Sequence, residues 1–444
     1  MLSQWLLLLI EKMKYNRYVH IVPLDESHHV IFNGLTKDFL PIKNKYLDSY
    51  ILIMKEPNKY YSTHKTLIEK LLNSGFILED NFNERDILVN ERYEYVNAPE
   101  YKTSIIPTFE CNYKCWYCIQ KRELPHSTEI KSDLIIRHVK KYLIENNIRS
   151  YVLSWFGGEP LMKPDVIDFI TQELKHFCNQ YGIYFSAAVT SNGALLTKEV
   201  ITMLKKNSVN YYQIAIDGDL PNHDKVKFDE LNSSSFGLIL TNVSNLLKIN
   251  PEAKVVLRLN YTMKMLESER FMDDLNRYLS LDLRKRLSID LQRVWQIKEE
   301  TIPIEKLKNF QQRLSDSGYI LNTDHVFSMC YVKKKHYNMI YYNGGVEKCD
   351  KRSINNLRGF LDNKGNIVWR EKPIFHSYDL FDDNCICGNC VYYPLCYCGC
   401  PVAREEEKIV DNKIICGHYG DYSIFKLRIQ DYCWRVILNN KVIL

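Results

Sequence analysis

Ten of the fourteen cysteines in this 444-residue chain fall into two groups whose spacing suits metal chemistry. The first is Cys111-x3-Cys115-x2-Cys118, in TFECNYKCWYC. Three thiolates on one loop can hold three irons of a 4Fe–4S cluster, leaving the fourth iron open to the amine and carboxylate of a small molecule. Zinc is the rival, since it too accepts three thiolates and one further ligand. The second group is seven cysteines between 385 and 416, six of them in CICGNCVYYPLCYCGC. The chain opens MLSQWLLLLIEKMK, whose apolar run from Trp5 to Ile10 is short, lacks a preceding positive charge and lacks a small-residue cleavage site. It is also too short to span a bilayer. The expectation is a cytoplasmic protein, in whose reducing surroundings clustered thiols indicate metal rather than disulfides.

Elements that would position the first group follow from the alternation of the middle of the chain. The apolar runs TSIIPT, YVLSW, IYFSAAV, YYQIAID, KVVLRLNY and LSIDLQRV read as strands. LIIRHVKKYLIEN, VIDFITQELKHF, KEVITMLKK, FGLILTNVSNLLK and ESERFMDDLNRYL lie between them with helical spacing of apolar residues. Such alternation predicts an α/β fold with parallel strands and helices outside. Six strands predict a partial (β/α)6 TIM-like barrel, with ligands at the carboxyl ends of the strands. The expected domains are a 1–100 N-terminal α+β region, the barrel at 101–300 and a cysteine-rich extension at 301–444. Regular periodicity weakens in the last zone, which is therefore expected to need metal to fold. With 45% hydrophobic and 25% charged residues the chain is an ordinary globular one. A net charge of +5 permits an anionic ligand without demanding nucleic acid.

The turns after the strands supply the second line of evidence. The tri-cysteine loop follows the first strand. The second strand runs into Gly157-Gly158-Glu159-Pro160, where glycines permit close backbone approach to a ligand and Glu159 can accept from a ligand ammonium. The third ends at Ser191-Asn192-Gly193 and the fourth at Asp217-Gly218. One such turn is an ordinary βα loop; four in register with the cysteine loop indicate a ligand site.

CNYKCWYC, WFGGEP, TSNGALL and AIDGDLPNHDK together resemble the radical S-adenosylmethionine (SAM) enzymes, over roughly residues 101–295. The resemblance implies a 4Fe–4S cluster on Cys111, Cys115 and Cys118 whose open iron chelates SAM. Reductive cleavage of SAM then yields a 5′-deoxyadenosyl radical. It further implies that Glu159, in the Gly157–Pro160 element, meets the SAM ammonium. Ser191 and Asn192 would lie near the ribose or carboxylate, Asp217 near the ribose, and Tyr117 at the adenine. Arg258 and Asn260 on the fifth strand are candidates for the SAM carboxylate or for a structural bond.

The tail resembles the SPASM extension of radical SAM enzymes that modify peptides. Its pattern is Cys330, then Gly344 and Cys349, then Cys387-x2-Cys390-x5-Cys396-x3-Cys400, then Cys416. The resemblance implies two auxiliary 4Fe–4S clusters, one on Cys330, Cys349 and Cys400, the other on Cys387, Cys390, Cys396 and Cys416. The first lacks a fourth thiolate; an open iron, Asp324 or His325 are the alternatives. Cys385 and Cys398 fall outside the pattern as spare ligands or free thiols. Cys178, in a helix-like run, and Cys433, in a strand-like one, read as buried small hydrophobes. Lys333-Lys334-Lys335 reads as a solvated face.

The implied function is a peptide or protein maturase. It would act on a ribosomally made precursor peptide, forming a thioether, a carbon–carbon crosslink or an oxidised residue. A flavodoxin- or ferredoxin-like donor would supply electrons, with no membrane or nucleic-acid partner. The N-terminal hundred residues resemble a winged-helix-like peptide-recognition module, an N-terminal cap on the barrel being the alternative. A sulfatase-type maturase making formylglycine is the enzymatic alternative, and a non-catalytic Fe–S or zinc-binding scaffold the alternative of another class. No acid–base residue stands out.

Overall fold

The computed structural model describes residues 12–120, 130–228, 234–294, 296–297, 302–324, 326–350, 357–371, 386–402 and 422–441. The chain divides into two compact units, one of residues 1–95, 324–329 and 378–444, the other of 96–323 and 330–377.

In the first unit β1 (Met13–Tyr15) pairs antiparallel with β5 (Ile77–Glu79). Strands β2 (Val19–Pro23), β3 (His28–Asn33) and β4 (Phe39–Lys43) form an antiparallel sheet with β3 central. Alternation along β3 fixes what covers it, because successive side chains point to opposite faces. Ile31 packs with Ile53, Met54, Ile68 and Leu71 of the helices Asn44–Lys55 and Pro57–Asn73. Val30 and Phe32 pack with Phe425, Ile429, Cys433 and Ile437 of the helix Ser423–Asn440. Cys433 is thus a buried helical residue, and the strand-like reading of its surroundings is corrected: aromatic and β-branched neighbours suggest a strand, but the four-residue period of Phe425, Ile429, Cys433 and Ile437 is that of a helix stripe. The helix Pro57–Asn73 stops where Gly75 adopts φ +69°. There the Phe76 N–H bonds the Leu71 carbonyl and the Gly75 N–H the Leu72 carbonyl, the Schellman pairing that satisfies a helix end.

The second unit holds the site. Strands β6 (Glu100–Ile106), β7 (Ser150–Trp155), β8 (Tyr184–Ser191), β9 (Val209–Ile216), β10 (Lys254–Tyr261) and β11 (Leu287–Arg293) lie side by side in chain order, all parallel. Helices Ser132–Glu145, Pro164–Gln180, Lys198–Lys206, Ser235–Ile249 and Phe271–Tyr278 connect them. This is the α/β partial barrel expected from the alternation.

The sheet extends past six strands in both directions. Short β12 (Ile320–Leu321) adds parallel to β11. On the other edge β13 (Tyr337–Tyr341) adds parallel to β6, and β14 (Gly345–Glu347), β15 (Gly359–Leu361) and β16 (Ile367–Trp369) continue antiparallel, making eleven strands among the described residues. Every residue of β13 is buried. Regular structure therefore persists into the zone whose weak periodicity suggested folding on metal alone. A strand buried on both faces shows no alternation to read.

Candidate cofactor site at the carboxyl ends of the strands

All four predicted turns meet at the carboxyl ends of β6 to β9, and backbone packing dictates their spacing. The Gly158 N–H bonds the Thr108 carbonyl at 3.1 Å and the Glu159 N–H bonds the Glu110 carbonyl at 2.8 Å, holding the β7 turn against the start of the cysteine loop. The glycines make this possible. A Cβ on Gly158 would stand 2.3 Å from the Glu110 oxygen and 2.4 Å from that of Phe109. One on Gly157, at φ +133°, would stand 2.6 Å from the Thr108 oxygen. The close approach that these glycines allow is to the loop bearing Cys111. Pro160 then opens the short 3-10 turn Pro160–Met162, capped by Glu159.

Glu159 is fully buried. Its Oε1 accepts from Ser191 Oγ at 2.9 Å and the Leu161 N–H at 3.0 Å; Oε2 accepts from the Asn192 N–H at 2.7 Å. One carboxylate thus ties the β7 turn to the β8 turn and retains acceptor capacity on Oε2. Burial outweighs these bonds and pushes its pKa up to about 7. Asn192 extends the link to the cysteine loop, donating from Nδ2 to Asn112 Oδ1 at 2.7 Å and to Cys111 Sγ at 3.8 Å. The Tyr113 N–H also donates to Cys111 Sγ, at 3.5 Å.

A second network lies after β9 and β10. Asp217 Oδ1 accepts from the Tyr117 hydroxyl at 2.6 Å and from Asn260 Nδ2 at 2.8 Å. Asp217 Oδ2 pairs with Lys227, both side chains being almost wholly buried. Burial alone would raise the Asp217 pKa, but Lys227 and then His223 hold it below the ordinary carboxylate value. The Asp217 N–H donates to His223 Nδ1 at 3.1 Å, so that nitrogen is unprotonated, and burial holds the His223 pKa down to about 3. Arg258 Nε donates to Asn260 Oδ1 at 3.2 Å. Tyr117, Asp217 and Asn260 line a cavity of about 190 Å³ with Trp116, Lys225 and Met265.

Lys227 is the residue that sequence reasoning missed. It stands two positions beyond the AIDGDLPNHDK stretch, where a lysine after a helix reads as solvated. The only available signal was the preceding HD pair, which carries no charge requirement by itself.

Cys111 and Cys115 are half-buried and Cys118 exposed. Burial raises the Cys111 and Cys115 thiols; Lys227 opposes this at Cys115, while Cys118 adds to the rise at both and Cys111 to that at Cys115. Among the described residues, no three His, Cys, Asp or Glu side chains are gathered closely enough for a single ion. The donor set fits an iron–sulfur cluster on its own terms: three thiols on one loop, within electrostatic reach of one another, one of them receiving two N–H donors of the kind that stabilise charge on sulfur.

The tail cysteines separate by unit. Cys330 and Cys349 belong to the barrel unit, where Cys349 Sγ lies 3.7 Å from Asp350 Oδ1. Cys387, Cys390, Cys396, Cys398 and Cys400 belong to the other. Asp324 is described, at the first residue of the 324–329 segment of that unit. His325, Cys385 and Cys416 lie outside the described residues. Cys178 is buried on the helix Pro164–Gln180, as expected. Of the three lysines, Lys334 pairs with Glu100 at 2.7 Å rather than standing free in solvent.

A loop of three thiols, a buried carboxylate bridging two strand-end turns and a parallel partial barrel lie within one stretch of the chain, and residues 105–233 of that stretch match the Radical SAM superfamily. The chain is 23% identical over 237 residues to the radical SAM cyclopropyl synthase TigE of Paramaledivibacter caminithermalis, covering 47% of this chain and 49% of that protein. It is 27% identical over 143 residues to a serine-type anaerobic sulfatase-maturating enzyme of Bacteroides thetaiotaomicron, covering 31% and 34%. The chain thus spans half or less of the length of these curated relatives. Among solved structures, native anSMEcpe with bound AdoMet and Kp18Cys peptide aligns with a TM-score of 0.55 at 16% identity, over 78% of this chain and all of that one. Streptococcus suis SuiB bound to S-adenosylmethionine aligns at 0.51 and 14%, over 89% and 97%. At these identities the structures establish the shared fold. No helix among the described residues is long and apolar enough to cross a membrane.

Proposed function

We propose that this radical SAM enzyme is a peptide maturase that installs a crosslink or an oxidised residue in a ribosomally made precursor peptide. The observation that carries the reading is the convergence of the cysteine loop with Glu159, Ser191, Asn192 and Asp217 at one end of the barrel. Two kinds of comparison support the peptide: the curated relatives include a cyclopropyl synthase and sulfatase-maturating enzymes, and anSMEcpe was solved with a peptide bound.

In this reading Cys111, Cys115 and Cys118 hold a 4Fe–4S cluster. When bound and given one electron from a flavodoxin- or ferredoxin-like donor, the cluster and SAM would supply the radical chemistry that takes a hydrogen atom from the peptide. The protein binds, orients and excludes water. The Asn192 amide and Tyr113 N–H brace the Cys111 sulfur. Glu159 Oε2, with acceptor capacity left, would meet the SAM ammonium, and Gly157, Gly158 and Pro160 hold that carboxylate in place. Ser191 and Asn192 border the ribose or carboxylate. Asp217, with Tyr117 and Asn260, faces the ribose and adenine from the cavity beside the loop. The tail pattern assigns Cys330, Cys349 and Cys400 to a first auxiliary cluster, whose fourth position would be an open iron, Asp324 or His325. Cys387, Cys390, Cys396 and Cys416 are the pattern's ligands for a second. The 1–100 region, built on the β2–β3–β4 sheet, recognises the peptide by strand addition at a sheet edge. The protein works in the cytoplasm, where thiols stay reduced.

Formylglycine formation is the second reading, favoured by the match to serine-type and cysteine-type sulfatase-maturating enzymes. Co-expression with the short reading frames beside the gene, followed by mass spectrometry of each peptide, tests the first. A loss of hydrogen masses from one peptide supports it. Unchanged peptides, together with oxidation of a sulfatase-derived cysteine or serine peptide, would establish the second.

A further inference from the structure

Lys348 is buried, and its ammonium ends among main-chain oxygens. Nζ donates to the Tyr337 carbonyl at 2.5 Å, the Lys334 carbonyl at 2.9 Å and the Lys335 carbonyl at 3.3 Å. The three donors of an ammonium thus meet three acceptors on one stretch of backbone. A lysine that only packed its stem would keep the charged head in water, because burying the charge is costly unless it is hydrogen-bonded.

The chain on either side defines what this side chain joins. Lys348 follows β14 directly, and Cys349 comes next. Strand β14 pairs antiparallel with β13, Met339 opposite Glu347 and Ile340 opposite Val346. The three carbonyls belong to the turn that leads into β13 and to the first residue of that strand. The turn starts from Cys330. The 3-10 turn Tyr331–Lys333 has Cys330 as its N-cap, the Lys333 N–H bonding the Cys330 carbonyl at 3.0 Å and the Lys334 N–H the Tyr331 carbonyl at 3.0 Å. One short, hydrogen-bonded turn therefore separates Cys330 from the clamped carbonyls. The rings of Tyr331 and Tyr337 pack at 4.7 Å between centroids, joining the same two segments a second time. Burial of its hydroxyl raises the Tyr331 pKa, and Tyr337, Asp350, Cys349 and Cys330 add to the rise, so both thiols lie within electrostatic reach of one hydroxyl.

We propose that Lys348 is a positioning residue for the first auxiliary cluster: its ammonium staples the segment that carries Cys330 to the strand end that carries Cys349, and so sets these two thiols for one cluster. The three bonds to the carbonyls are made with or without the cluster, and no electron or proton passes through Lys348. The inference rests on the iron–sulfur reading of the tail, in which both cysteines are ligands.

The test is anaerobic reconstitution of the full chain and of Lys348→Met, Lys348→Arg and Cys349→Ser. Iron is counted per chain, folding is checked by circular dichroism, and the dithionite-reduced proteins are compared by electron paramagnetic resonance. Lys348→Met should fold yet lose about four irons, one cluster's content, together with the signal that Cys349→Ser loses. Lys348→Arg, which can still donate to several carbonyls, should keep that iron and restore the signal. A folded Lys348→Met with full iron and the parent spectrum would overturn the proposal, as would equal losses in Lys348→Met and Lys348→Arg. Full iron in Cys349→Ser would instead sink the reading of Cys349 as a ligand, so the two failures are distinguishable. A measurement on the metal-free parent guards against a misfolded variant. The short thiol-bridging reagent dibromobimane should join Cys330 to Cys349, as located by mass spectrometry, about tenfold faster in the parent than in Lys348→Met, the loss expected for charged hydrogen bonds. Failure to bridge the two cysteines in the parent would overturn the staple whether or not Lys348→Met folds.

Discussion

Replacing Gly158 by alanine tests how the site is assembled. The added methyl would stand 2.3 Å from the Glu110 carbonyl oxygen and 2.4 Å from that of Phe109, both backbone atoms that no rotamer change can move. Ordinary contact begins near 3.4 Å, so the β7 turn and the cysteine loop must part by roughly 1 Å. That separation breaks the bond from the Glu159 N–H to the Glu110 carbonyl and strains the one from Gly158 to Thr108. Overpacking costs about 1–3 kcal/mol and the lost bond about 1 kcal/mol, giving an expected destabilisation of roughly 2–4 kcal/mol. Gly182→Ala is the control. Gly182 has φ +65° but nothing within 4 Å of a Cβ, so alanine there should cost only the left-handed conformation, about 1 kcal/mol. Urea unfolding midpoints of the anaerobically purified proteins give the comparison, and iron retained by each variant reports on the loop. Gly158→Ala should unfold at lower urea than Gly182→Ala and hold less iron. Equal midpoints with full iron would refute the claim that this glycine exists to let two backbones meet.

Other expectations follow from buried charge. Asp217→Asn leaves Lys227 buried without its counter-charge and should destabilise by about 3–5 kcal/mol, whereas the double change with Lys227→Met should recover much of that loss; additivity in a denaturant double-mutant cycle would contradict the pairing. His138 is held neutral with its pKa lowered to about 4, primarily by burial, Nδ1 bonding the Gly365 carbonyl and Nε2 the Tyr101 hydroxyl. The unfolded chain gains this proton near pH 6.5 and the folded one only near 4, so stability is present above 6.5 and is lost as pH falls toward 4. His138→Gln should remove roughly 3 kcal/mol of that acid slope, and an unchanged slope would show that His138 does not titrate as described. Glu159 has the opposite sign: its pKa is raised to about 7, so its contribution is present below about 4.5 and lost as pH rises through 7, which unfolding of the metal-free protein in Glu159→Gln and parent from pH 5 to 8 would reveal as a slope present only in the parent.

The strands of the barrel were legible because each apolar run is bounded by a helical segment and by a polar, glycine-bearing turn, and those turns mark the site. What the glycines approach was not legible, since a GG pair says only that something comes close; the partner proved to be the loop at Thr108–Glu110. Nor was Lys227, a lysine in no recognised spacing whose burial depends on a carboxylate ten residues away. Strand β13 escaped because YNMIY is buried throughout and pairs with β6 across more than two hundred residues. The packing of β3 against the helix Ser423–Asn440 was hidden for the same reason: Val30, Ile31 and Phe32 are apolar in succession, so no alternation marks the face that this helix covers.

The central claim is that the loop at 111–118 holds the cluster at which SAM is cleaved. Its most direct test is 5′-deoxyadenosine formation from SAM under dithionite, by the parent and by the triple variant Cys111→Ala, Cys115→Ala, Cys118→Ala, with iron counted in both. The account predicts about twelve irons and SAM cleavage in the parent, against about eight irons and no 5′-deoxyadenosine in the variant. Undiminished SAM cleavage by the triple variant would contradict it.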